Sequence, residues 1–306
     1  MNNFICSSQL HNASSKPSKL ENPLYSSIVA NIVFNGCLCY TTIMLNIVTI
    51  HALRKTSALS KSLKAFLQSL AVSDLGVGLL GQPLNIAYLV ALLRCNLSNH
   101  TIRVAWQVVL NILCLSSFFC VIALSTERFI AIQKPLQYQD IVTQKRVFTA
   151  VIAIWSLSAF LELCFFVLPD NTSAVIFLMI EFVCFVATTW SSYKIYLTVR
   201  YHNTQTQATV QQLSENSEVV KIASTRSVQS TLLIYLAFWV CYLPRSSIWI
   251  VRQIQARKSV TVTILDLFSI TLVLLNSSIN PIIYCWTMRH IRHTIMGSLR
   301  NIFRRQ

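Results

Sequence analysis

The sequence predicts an all-α membrane protein: a seven-transmembrane helix bundle followed by a short amphipathic helix on the membrane surface. Three observations lead there. Of the 306 residues, 54% are hydrophobic and only 11% charged, whereas soluble domains carry about 25% charged residues. Seven apolar runs occur, each long enough to cross a bilayer, which takes about 20 helical residues. The basic residues lie between these runs, as membrane topology requires. A net charge of +15 would by itself admit nucleic acid as a partner. The scattering of that charge points to the lipid bilayer instead, with no nucleic acid.

Residues 1–26 form a polar N-terminal tail, 27–286 the bundle, and 287–306 a basic tail with the amphipathic helix. No apolar core with a cleavage site precedes the first run, so the first span is expected to act as its own insertion signal. That span, 27–53, carries Asn46 at its middle. The second, 64–92, carries Asp74 within SLAVSDLGVGLL. The third, 102–133, is marked less by hydropathy than by polar residues on one helical face. Gln107, Leu110, Asn111, Cys114 and Ser117 form a stripe there at i, i+3, i+4 spacing. The fourth, 147–168, holds Trp155 and Glu162, and the fifth, 173–199, holds Glu181 and no Pro. On the sixth, 228–251, Tyr242, Arg245, Trp249 and Arg252 form a second stripe around Pro244.

The seventh span, 261–286, begins near Asp266 and ends in LLNSSINPIIYCW. Asn276 and Asn280 are four apart and share one helix face. Pro281 removes a backbone hydrogen bond and frees a carbonyl, which allows a bend. Ionisable and strongly polar groups at membrane depth are expensive and usually functional. Beyond the span, Ile291, Ile295, Leu299 and Ile302 repeat near helical spacing with Arg and His opposite. This reads as a helix on the inner leaflet; a frayed basic tail is the alternative.

Orientation has two signals. Glycosylation sequons at Asn12, Asn96, Asn99 and Asn171 all fall in the N-terminal tail or in the connections 93–101 and 169–172. Lys and Arg concentrate on the other side, which fits the cytoplasm. The N-terminus is therefore expected outside and the C-terminus inside, with the plasma membrane as location. Cys6 and Cys95 are the outer cysteines; they pair in the oxidising compartment or stay free. No metal-spaced His/Cys cluster, Walker loop or nucleophile elbow occurs, so an enzyme is not expected. The absence of internal repeats weighs against a transporter built from duplicated halves.

Six motifs, in order on the right spans, resemble the rhodopsin-like (class A) G-protein-coupled receptors. NSSINPIIY resembles their seventh-helix signature and LAVSDL their second helix. STERFIAIQKPLQY resembles the end of the third helix and the second inner loop, with Glu127-Arg128-Phe129 in place of Asp-Arg-Tyr. Trp155 and Asn46 match the fourth- and first-helix positions, and FWVCYLP matches the sixth-helix motif with Tyr242 in place of Trp. The resemblance covers residues 27 to about 300.

The resemblance implies a receptor that relays an extracellular ligand to a heterotrimeric G protein. Its activation switch would comprise Glu127, Arg128, Pro135, Tyr242, Pro244, Asn280, Pro281 and Tyr284. It also implies that Asp74, Ser117, Asn276, Ser277 and Asn280 hold an allosteric sodium ion, one carboxylate and several neutral oxygens suiting a hard cation. A hydrated polar knot is the alternative. Arg128 would hold the inactive state through Glu127, or else simply snorkel to headgroups. Ser224 and Thr225 stand where many members carry an acid, so a second lock on Arg128 is not expected.

Departures from the family narrow the ligand. Leu274 replaces the lysine that binds retinal in opsins, so no retinal is expected and no cofactor is required. Leu110 replaces the Asp that amine receptors use. Arg103 replaces the usual third-helix Cys, and the second outer loop, PDNTSAV, has none. The fifth helix offers Ser192 or its neighbour Tyr193 for the usual Tyr. The short loop, missing disulfide and missing Pro resemble the melanocortin, lysophospholipid and cannabinoid branch, but Leu84, Arg103 and Gln107 do not match the melanocortin acidic cluster. The expected pocket comprises Gln107, Leu110, Asn111, Cys114, Glu181, Tyr242, Arg245, Trp249, Arg252 and Asp266. Arg94, Arg103, Arg245, Arg252, Arg257 and Lys258 outnumber the nearby acids, which favours an anionic lipid or acidic peptide. Against this, Arg245 could be neutralised by Glu181 and Arg252 by Asp266. Arrestin is a further expected partner, through Thr204, Thr206, Thr209, Ser214 and Ser217 of the third inner loop. The rival from another class is an ion transporter or channel using Asp74.

Overall fold

A computed structural model describes residues 23–57, 59–94, 100–134, 136–209, 215–254 and 259–303. Asn12, Asn96, Asn99, Cys6, Cys95, Pro135, Ser214, Arg257 and Lys258 lie outside the described residues. Seven helices are long and apolar enough to cross a membrane. They are α1 (Pro23–Lys55), α2 (Lys61–Leu93), α3 (His100–Gln133), α4 (Gln144–Val167), α5 (Asp170–Thr209), α6 (Glu215–Ile254) and α7 (Val260–Thr287). The surface helix α8 (Arg289–Phe303) follows, and a single turn, Tyr138–Ile141, stands between α3 and α4. Among the described residues there are no strands, so the chain is an all-α, multi-pass membrane protein.

Each expected span is present, and most extend a few residues further. The third is the most apolar of the seven, so hydropathy marks it as well as its polar stripe does. Two loops are shorter than the sequence implied. PDNTSAV is mostly helix, because α5 starts at Asp170, directly after Pro169. An acid at a helix start complements the helix dipole. Asn171 therefore sits on the first turn of α5. On the other side, α5 runs to Thr209 and α6 begins at Glu215. No Gly or Pro occurs between 201 and 230 to break them. The hydroxyl-bearing residues 204, 206, 209 and 217 thus lie on helical backbone rather than in a loop.

Helix α3 is central and packs against α2, α4, α5 and α6, while α7 closes the ring against α6, α1 and α2. In lipid the hydrophobic effect does not drive helices together, so packing and hydrogen bonds must. On α1 the inward face reads Asn31, Asn35, Leu38, Thr42, Asn46 and Thr49, all buried. Asn35 Nδ2 donates to Thr271 Oγ1 at 2.9 Å, and Thr271 Oγ1 donates to Asn31 Oδ1 at 2.6 Å. Two turns further along, the Thr42 and Ser278 hydroxyls lie 2.7 Å apart.

Two prolines explain local irregularities. Pro281 cannot donate to the carbonyl of Ser277, four residues earlier. Asn46 Nδ2 takes that carbonyl at 2.9 Å, so the group freed by the proline becomes a tie between α7 and α1. In α2, a π-helical turn at Val77–Gly81 precedes Pro83. The wide turn takes up the bond that Pro83 cannot make. Within it, Gly78 approaches α1 closely. The Cys39 thiol lies 3.2 Å from its carbonyl, and a Cβ there would stand 2.8 Å from Ile43 Cγ1. Toward the inner side, Trp155 Nε1 donates to Ser69 Oγ at 3.1 Å, joining α4 to α2.

The surface helix is anchored at its first turn, where Ile291 is fully buried and Ile295 packs on the same core. Side-chain placement along the rest of α8 is outside the described residues.

Candidate functional site

A cavity of about 530 Å³ lies in the half of the bundle that holds the start of α3 and the end of α6, within the range that holds small-molecule ligands. All ten residues of the expected pocket line it, Gln107, Leu110, Asn111, Cys114, Glu181, Tyr242, Arg245, Trp249, Arg252 and Asp266, while Ser117, the last residue of the α3 stripe, is not part of the lining. Arg103, Glu162, Trp106 and Tyr88 line it as well. The Tyr88 and Trp106 rings stack at 5.3 Å between α2 and α3.

Of the two pairings drawn from sequence, Arg252 with Asp266 is present and Arg245 with Glu181 is not. Asp266 on α7 binds both Arg245 and Arg252 of α6, one through each carboxylate oxygen. The two arginines are seven residues apart, two helical turns, so they present to the same neighbour. Arg245 is therefore paired with Asp266 and not bridged to Glu181. Glu181 instead accepts from Ser246 Oγ at 2.7 Å. Glu162 on α4 is hydrogen-bonded by Asn111 of α3, and its Oε2 is enclosed without a partner among the described residues. The lining holds Arg103, Arg245 and Arg252 against Glu162, Glu181 and Asp266. The basic excess of the outer surface does not extend into the cavity wall.

Aromatic rings form the floor. Tyr242 stacks on Phe238 with centroids 5.3 Å apart and meets Phe118 of α3 at 4.6 Å. Phe185 and Trp239 pack at 4.5 Å between α5 and α6. The fifth-helix choice is resolved by burial: Ser192 faces inward and Tyr193 faces lipid.

Below this floor lies the Asp74 centre. Asn280 Nδ2 donates to Asp74 Oδ2 at 2.8 Å, and the Ser277 side chain also hydrogen-bonds Asp74. Ser117 is bonded to Ser73 at 2.9 Å. Asp74 Oδ1, Asn276 Oδ1, Asn280 Oδ1 and the Tyr284 hydroxyl are buried without hydrogen-bond partners among the described residues. Buried orphan oxygens call for water or an ion. One carboxylate beside several neutral oxygens fits a hard cation. At the inner end of α3, the Glu127 carboxylate is bound by Arg128 and by the Tyr138 hydroxyl. Tyr138, outside the membrane spans, was not singled out by sequence. Burial and the adjacent Glu127 push its hydroxyl above the ordinary tyrosine range. Arg146 fixes the same turn by donating to the Asp140 and Ile141 carbonyls.

Comparison with known proteins agrees with this architecture. Residues 45–175 match the family described as 7 transmembrane receptor (rhodopsin family). Over that stretch the chain resembles the receptors of this family. It is 27% identical over 257 residues to melanocortin receptor 4 of Danio rerio, covering 81% of this chain and 77% of that protein. The human histamine H1 receptor is 28% identical over 127 residues, 42% of this chain and 26% of the relative. The chicken (Gallus gallus) adenosine receptor A2b is 31% identical over 131 residues, 42% of this chain and 36% of the relative. The receptor's similarity to the melanocortin branch is therefore the longer one, and it remains weak. A receptor family is not an enzyme family, and no transporter stands among these relatives.

Proposed function

We propose that this receptor takes an extracellular ligand into the 530 Å³ cavity and activates a heterotrimeric G protein on the opposite, cytoplasmic face. The observation that carries this reading is the position of Tyr242. It lines the cavity and also stacks on Phe238 and Phe118. A ligand that moves Tyr242 moves the middle of α6, below which Glu127 and Arg128 wait at the end of α3. Pro244 weakens α6 two residues further on, giving that movement a hinge. Ligand binding thus shifts a population between two bundle packings. Glu127 holds Arg128 in one of them, and Asn280, Pro281 and Tyr284 would repack in the other.

The N-terminus is placed outside at the plasma membrane, with Asn12, Asn96, Asn99 and Asn171 as glycosylation sites and Cys6–Cys95 as a candidate disulfide. Arrestin would read phosphates on the inner ends of α5 and α6. The test is heterotrimer dissociation in cells expressing the receptor, across the Gα classes and an extracellular ligand library. A response above mock-transfected cells that Arg128→Ala removes supports the reading; silence across all classes with normal surface expression refutes it.

A sodium ion is proposed at Asp74, with Ser277, Asn276 and Asn280 as neighbours and Ser117 closing the site after release from Ser73. The ion would stabilise the inactive packing. Sodium should raise the melting temperature of purified receptor, and Asp74→Asn should remove that dependence. An equal sodium response in mutant and parent would leave the centre as a hydrated structural knot.

A further inference from the structure

We infer that the cavity is built for a bipolar ligand, one carrying an anionic group at one end and a cationic hydrogen-bond donor at the other. The inference deepens the proposed function and rests on the cavity being the ligand site. Its basic pole lies on α6 and α7, where two guanidinium groups share the single Asp266 carboxylate. Arg103, on α3, lines the same cavity and has no carboxylate partner among the described residues.

The acidic pole lies on α4 and α5. Glu162 and Glu181 are each only 5% exposed, and both line the cavity. Their recorded donors are neutral, Asn111 and Ser246. Glu162 Oε2 has none among the described residues. A buried carboxylate is stable only when paired or fully hydrogen-bonded. Each pole therefore lacks what the other end of a zwitterion supplies. An anion alone would satisfy the α6–α7 wall and leave Glu162 unanswered. An amine alone would do the reverse and meet the arginines. Leu110 and Trp249 add apolar lining that a short methylene or aromatic spacer could meet.

The test uses purified full-length receptor in detergent and three matched probe series: ω-amino acids of increasing chain length, and the carboxylates and alkylamines of the same lengths. The readout is melting temperature against probe concentration. The ω-amino acids should stabilise more than either monopolar series, with an optimum length. Glu162→Gln, which keeps a side chain able to meet Asn111, should weaken amino-acid binding about tenfold or more, the scale of one charged hydrogen bond. It should leave carboxylate binding unchanged, while Arg252→Gln weakens both. Carboxylates that match the amino acids at every length would overturn the bipolar inference and keep the cavity as an anion site. Shifts unaltered in both variants would put the binding outside the cavity, and the ligand-site reading would fall with it. No stabilisation by any series would reject the bipolar class, while the G-protein assay still judges the receptor reading.

Discussion

The seam between α1 and α7 and the cavity between α3 and α6 bury comparable polar groups in opposite ways. In the seam the groups are neutral and their donors are answered across the interface, Asn35 by Thr271, Thr271 by Asn31, Thr42 by Ser278 and Asn46 by the Ser277 carbonyl, with only the Asn35 and Asn46 side-chain oxygens buried without a partner among the described residues. In the cavity they are charged, and the pairing is uneven: one aspartate for two arginines, two glutamates with neutral donors only. Buried polarity holds helices together where every group finds its partner inside the protein. Where partners are missing, the site keeps binding capacity for something from outside. The seam is the fixed side of the bundle and the cavity the responsive one.

The sharpest way to break this contrast is to unbalance the cavity further. Asp266→Asn would remove the carboxylate charge that Arg245 and Arg252 share. Removing one partner of a buried ion pair costs about 3–5 kcal/mol. The arginine side chains are 34% and 27% exposed, so solvent screening lowers the expected loss to about 2–3 kcal/mol. Adding Arg252→Gln should recover part of it, because one cation then remains in place of two. Melting temperatures of the single and double variants check this. A double variant less stable than the single would show that the arginines contribute through packing, not charge.

The seam's counterpart is steric as well as polar. Gly78→Val places a branched side chain where even a Cβ would stand 2.8 Å from Ile43 Cγ1 and 3.3 Å from the Ile43 backbone nitrogen. The backbone cannot yield as a side-chain tip can, so α1 and α2 must separate. A loss of about 1–3 kcal/mol is expected, the range for overpacking. If stability is unchanged, α1 and α2 are packed more loosely around Gly78 than these distances imply.

How much of this was legible beforehand follows from the physics of each feature. Spans were legible because lipid demands about 20 apolar residues in a row. The cavity stripes on α3 and α6 were legible because helical spacing alone decides which residues share a face. The double hold of Asp266 was not, although Arg245 and Arg252 at i, i+7 carried the signal. Choosing between Glu181 and Asp266 as the partner of Arg245 needs the rotation of α5 against α6, which spacing does not encode. The ladder on α1 was missed except for Asn46. Asn31, Asn35, Thr42, Asn46 and Thr49 recur at three- to seven-residue steps, and that periodicity could have revealed a polar helix face. Tyr138 stood inside a quoted motif, yet its contact with Glu127 depends on how the inner loop folds back. The wide turn before Pro83 depends on how α2 resolves the lost hydrogen bond. Sequence shows the loss and not the remedy.

Asn46 offers a finer test of the fixed side. Asn46→Ala removes the donor that answers the Ser277 carbonyl, and the proline at 281 leaves no backbone N–H to replace it. An unsatisfied buried acceptor costs about 1–3 kcal/mol. Asn46→Ala should therefore destabilise the receptor more than the same change at an α1 residue facing lipid, such as Tyr40. Restoring the backbone donor with Pro281→Ala in the Asn46→Ala background should recover part of the loss. Recovery would show that the asparagine serves the carbonyl; none would assign its role to the Thr42 carbonyl, which it also donates to at 2.9 Å.

The smallest expected effect is also the most discriminating. The Thr42 and Ser278 hydroxyls meet at 2.7 Å with both residues buried. Interhelical hydrogen bonds between side chains in membranes average about 0.6 kcal/mol and reach about 1.7 kcal/mol at most. Thr42→Val keeps the shape and removes the hydroxyl; Ser278→Ala removes the partner. Each single change leaves one hydroxyl facing an apolar group, while the double change leaves none. The double variant should therefore be more stable than the sum of the single losses predicts, by about 0.6 kcal/mol. The cycle read from melting temperatures decides whether the bond couples the helices. Strict additivity would mean that each hydroxyl finds another acceptor along its own helix. α1 would then be held by close packing, as it is against Gly78 of α2, and the seam's contrast with the cavity would be one of fit, not of pairing.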